Sequence, residues 1–61
     1  PADADTLTDP IEDDRAWQDL MSAMGRKGLA TSEIIAGYTA WAGHPVDQGN
    51  ATSYRAFVAA Q

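Results

Sequence analysis

The 61-residue chain contains no cysteine. Neither a disulfide nor a thiolate metal site can therefore staple it. Its one histidine, His44, cannot build a zinc site alone, so no metal and no cofactor is expected. Bases are scarce, with four Lys and Arg against nine Asp and Glu. That balance disfavours broad phosphate-backbone binding, which needs clustered positive charge. Long apolar runs are missing too. Nothing approaches the ~20 residues that span a bilayer, so no membrane association is expected. The opening Pro1-Ala2-Asp3-Ala4-Asp5 has neither the basic region nor the apolar stretch of a signal peptide. The lack of cysteine fits a cytoplasmic protein. A first residue other than Met suggests a processed chain or a domain taken from a longer one. Strand-like alternation of apolar and polar residues is absent over any run of five or more, which excludes a sheet.

The charge that is present is uneven. Asp3, Asp5, Asp9, Glu12, Asp13 and Asp14 precede the first base, Arg15. From Arg15 onward, four bases meet three acids, a net of +1. Residues 1–8 are read as a flexible acidic lead-in, and 9–61 as a single three-helix domain.

Helix signals organise the rest into an all-α bundle with helices near 10–24, 31–42 and 51–61. The first has Asp9 at the cap, Pro10 at the first helical position and Glu12 three residues after the cap. Glu12, Asp13 and Asp14 then face the positive end of the helix dipole. Trp17, Leu20, Met21 and Met24 follow at i, i+3, i+4 and i+7. Gly25 or Gly28 ends this helix. The second starts at Thr31 or Ser32, carries Ile34, Ile35, Tyr38 and Trp41, and stops at Gly43 before Pro45. Gly37 in its interior costs about 1 kcal/mol relative to Ala, which a close approach by another helix would explain. The third is capped by Asn50 or Thr52 and presents Tyr54, Phe57, Val58 and Gln61. The expected core is Trp17, Leu20, Met21, Met24, Leu29, Ile34, Ile35, Tyr38, Trp41, Val46, Tyr54, Phe57 and Val58.

No pattern supports an enzyme. Glu12, Asp13 and Asp14 are adjacent on a helix and point apart, so they do not converge on one cation. His44 with Asp47 lacks a nucleophile nearby in sequence, and a triad assembled without geometry carries no weight. Two binding readings remain. The first is a non-catalytic protein–protein docking module within a larger protein or complex. Asp13 and Asp14 would supply charge, and Trp17, Tyr38 and Trp41 aromatic anchors. The partner is another protein or a second copy of the chain. The alternative is a helix-turn-helix-like DNA-binding domain, with Arg26, Lys27 and Arg55 on phosphate. The segment from Gly43 to Asn50 exceeds the usual 3–4-residue turn, and the would-be recognition helix holds one base.

The order of a long helix, a second helix ending in Gly43-His44-Pro45-Val46-Asp47 and a short closing helix is similar to small helical modules at the C-termini of phage recombination proteins. The similarity covers residues 17–61 and lies in spacing and apolar pattern. It implies recruitment of a partner protein and assigns no residue a role.

If the first helix faces the core, Leu20→Ala will cost about 2–5 kcal/mol. In so small a domain that is enough to unfold much of the population. Circular dichroism melting checks it, and a variant that melts like the parent would place Leu20 outside the core.

Overall fold

The computed structural model describes residues 8–61. Three helices carry the fold: α1 over Pro10–Arg26, α2 over Thr31–Ala42 and α3 over Ala51–Ala59. A single 3-10 turn, Val46–Gln48, interrupts the connection from α2 to α3. No strand occurs among the described residues. The expected lead-in lies outside them except for Thr8.

Each helix end has a local cause. The Asp9 carboxylate accepts the Glu12 N–H at 2.8 Å, and Pro10 follows at N1. The reciprocal half of the capping box does not form, because the Glu12 carboxylate turns to Arg55 instead. α1 runs two residues further than its apolar stripe implies. Gly28, at φ +89, supplies the left-handed turn after it, and Gly25 stays helical. At α2 the cap is Ala30, one residue before the expected Thr31 or Ser32. Alanine brings no side-chain oxygen, so the support comes from Glu33, whose Oε1 accepts the Ala30 N–H at 2.9 Å. Gly43 closes α2 at φ +79, with its N–H on the Thr39 carbonyl. Asn50 and Ser53 cap α3 reciprocally at 3.0 Å each way. α3 ends at Ala59, so Gln61 is not part of it; its side-chain amide instead donates to the Phe57 carbonyl.

The helices pack around one core of Ala16, Leu20, Met24, Ile34, Tyr38, Ala42, Ala51, Tyr54 and Phe57. α1 and α3 share the broadest contact. Trp17, Met21, Val46 and Val58 are half-buried against this core. Three expected core residues lie further out: Leu29, Ile35 and Trp41 are 40, 41 and 37 % exposed. The reason for Ile35 is its register. α2 buries Ile34, Tyr38 and Ala42 at a strict four-residue interval, and the next residue after Ile34 falls on its flank.

The close approach expected at Gly37 is found at Gly49 instead. At Gly37 an added Cβ would lie 3.9 Å from the Phe57 ring, an ordinary contact, so no close helix approach demands it. At Gly49 the same atom would fall on the Tyr38 hydroxyl and lie 2.7 Å from Tyr54 Cε1. The backbone of Gly49 is extended, so space and not conformation forbids a side chain there. Gly37→Ala should raise stability by about 0.5–1 kcal/mol. That corresponds to a few degrees in melting temperature. Gly49→Ala should lower it by about 1–3 kcal/mol through overpacking. Thermal melts of the two variants check both signs, and equal shifts would contradict this account.

Candidate functional site

The acidic first turn of α1 is largely committed to the fold. Asp13 Oδ1 accepts the Ala51 N–H at 2.9 Å and also the Thr8 hydroxyl. A carboxylate of α1 thus caps the positive end of α3. Asp14 points elsewhere and accepts from the Gln18 amide at 3.0 Å. Glu12 pairs with Arg55 at 2.8 Å. Among the described residues no group of three His, Cys, Asp or Glu is placed to hold a metal ion. Asp9, Ile11, Glu12, Arg15 and Arg55 line an open surface cleft of about 380 Å³. It mixes both charges and holds no enclosed volume.

The three bases of the nucleic-acid reading do not form a patch. Arg55 is held at the start of α1 by Glu12. Arg26 and Lys27 lie at the other end of that helix, about 21 Å away at the helical rise. His44 is also engaged. Its Nδ1–H donates to the Pro45 carbonyl at 2.9 Å, and its ring lies against Tyr38.

The expected aromatic anchors separate into three environments. Tyr38 is 0 % exposed, so it belongs to the core and offers nothing to a partner. Its ring contacts Trp17, Trp41, His44, Tyr54 and Phe57, with centroids 5.4–6.3 Å apart. Trp17 is half-buried on Tyr54, at 5.3 Å. Trp41 rests one side on Phe57, at 5.5 Å, and leaves the other open.

Trp41 borders a surface with little charge. Of the twelve residues of α2, only Glu33 is charged. Ile35, Ala36, Gly37, Ala40 and Trp41 are all exposed. After its polar first turn, the exposed side of α2 is apolar apart from Thr39, whose hydroxyl donates to the Ile35 carbonyl. A helix apolar on both sides ordinarily has neighbours on both. α2 has its own core on one side and solvent on the other. The sequence signal was the near absence of charge from 31 to 42. Assigning Ile35 to the core concealed it.

No membrane-length apolar helix occurs among the described residues. No family model, curated protein or solved structure matches the chain, and the similarity to phage recombination modules therefore rests on spacing alone.

The two central tyrosines give a pH dependence. Burial raises the Tyr38 pKa above its ordinary 10.0. Burial also raises Tyr54, assisted by the negative charge of Tyr38, Asp13 and Asp47. An acid whose folded pKa is raised contributes stability below its unfolded pKa and loses it as pH climbs past that value. The domain should therefore weaken above pH 10, with tyrosinate absorbance rising together with loss of helical circular dichroism. Tyrosinate that appears in a fully helical protein at its ordinary pKa would contradict the burial argument.

Proposed function

We propose that this chain is a non-catalytic protein-docking module, acting within a larger protein or complex, and that it docks through the outer side of α2. One observation carries the reading: a twelve-residue helix with a single charge exposes Ile35 and Trp41 on its flanks and small residues between them. Solvent gains nothing from such a surface, whereas a partner helix or sheet would bury it at about 25 cal/mol per Å². The small residues permit close backbone approach, and Trp41, already held by Phe57, loses little freedom on binding. The anchors sequence reading put at Trp17, Tyr38 and Trp41 thus reduce to Trp41 with Ile35, and Asp13 acts inside the fold. The helix-turn-helix alternative draws no support from bases held at opposite ends of α1.

The test uses the whole chain and its Ala36→Glu variant, which charges the exposed face without touching the core. Parallel affinity captures should differ in a defined partner. Calorimetry with that partner should then show binding at least tenfold weaker for the variant, about 1.4 kcal/mol. Helical circular dichroism should be unchanged. Identical captures and identical affinities would remove α2 as the docking surface.

A further inference from the structure

Next to the buried Ile34, Tyr38 and Ala42, from the Ile35 flank round to the outer side of α2, run Ser32, Ile35, Ala36, Thr39, Ala40 and Gly43, at helical spacing. We infer that a second copy of this chain covers this face, the two α2 helices packing antiparallel across a two-fold axis. The inference rests on the docking reading of α2 and names the occupant of its Ile35 side; Trp41 lies on the other flank, outside this contact.

Size and symmetry favour this occupant. With the axis between positions 37 and 38, Ser32 meets Gly43, Ile35 meets Ala40 and Ala36 meets Thr39. Each larger residue faces a smaller one, as an interface built from one patch requires. The helices can then approach to about 8 Å, the near end of the usual range.

Charge selects the same arrangement. The acids are concentrated before Arg15, so the acidic start of α1 is the surface that two copies keep apart, while the chain from Arg15 onward is nearly neutral. The α2 face holds only Glu33. In the antiparallel arrangement the two Glu33 residues lie about 14 Å apart along the axis, beyond the screening length at physiological salt. Arg26 and Lys27, both exposed, sit one short loop before the α2 N-terminus. Beyond its C-terminus come the exposed carbonyl end, with no base in the last turn, and then Asp47. Antiparallel pairing sets the basic pair of one copy beside the negative end of the other. A parallel pairing would set base against base. An unrelated partner would have to bring both complementary charges, whereas the chain already holds both.

A contact between two helices about 18 Å long is smaller than a standard interface, so the dimer is weak and reversible. Sedimentation equilibrium of the full chain up to about 1 mM should show monomer and dimer in exchange. Ala36→Glu should weaken association at least tenfold with helical content unchanged. Arg26→Glu with Lys27→Glu, and separately Asp47→Lys, should each weaken it, and the combined triple variant should restore it. A monomeric mass throughout, a dimer indifferent to Ala36→Glu, or charge reversals without mutual rescue would overturn the inference. If the chain stays monomeric while Ala36→Glu still abolishes capture of another protein, the docking reading stands and only the second copy is removed.

Discussion

The hydroxyl of Tyr38 is buried in the core, and the rest of the domain is arranged to satisfy it. It lies 2.7 Å from Ser53 Oγ. The single proton of Ser53 is directed to the Asn50 carbonyl at 2.9 Å, while its oxygen receives the Asn50 N–H at 3.0 Å. Tyr38 therefore donates and Ser53 accepts, which saturates the serine. A buried hydroxyl without a partner costs about 1–3 kcal/mol, a large share of what a domain this small can hold. The consequences run outward. Ser53 must be the third residue of α3, Asn50 must cap that helix, and Gly49 must lack a side chain because the tyrosine occupies its place. The loop after α2 is thereby held to a core residue of α2.

Around that bond the domain compensates for its size with rings. Tyr54 reproduces the arrangement of Tyr38, its ring in the core and its hydroxyl on the Val46 carbonyl at 2.8 Å. This fixes the 3-10 turn against α3. Aromatic side chains bury large areas per residue, and edge-to-face pairs add about 0.5–1.5 kcal/mol each. Tyr38 makes such contacts with Trp17 and Phe57. Charge contributes less. The Glu12–Arg55 pair is 39 and 57 % exposed, so screening leaves it worth little. Asp13 differs because it meets an α3 backbone N–H at a half-buried helix end.

What the sequence disclosed follows the range of each interaction. Asp9-Pro10, Gly43-His44-Pro45 and Asn50 act within four residues, and they locate three helices to within about two residues. Tyr54 and Phe57 were legible as core from spacing alone. Spacing could not tell Ile34 from Ile35, since both fit a broad stripe and only the packing of α1 and α3 decides between them. Asp13 was the harder case. Its position in a first turn already explained an acid there, and nothing local announces a partner at Ala51. Gly37 was misjudged for the same reason, and nothing local marked Gly49. A glycine's need depends on what lies across from it, and for Gly49 that is the side chain of Tyr38.

Those two glycines also separate what the fold requires from what it merely carries. Gly49 is required, because the core leaves no space for a side chain. Gly37 is not, and in a helix interior it subtracts from a small reserve of stability. So do Ile35 and Trp41, which leave apolar surface in water. All three lie on α2, the helix with one charge; packing holds one side of Trp41 on Phe57 and Tyr38 but explains neither Gly37 nor the exposure of Ile35. A charged residue at 36 or 40 would have cost the fold nothing and improved solubility. Features that burden an isolated domain but suit an interface are what a docking surface leaves behind when its partner is absent. Such a surface trades stability of the free domain for contact with its partner, a compromise seen where function and stability compete. On the proposed docking reading, the outer face of α2 would be explained by a partner, as Tyr38 is explained by what it holds together.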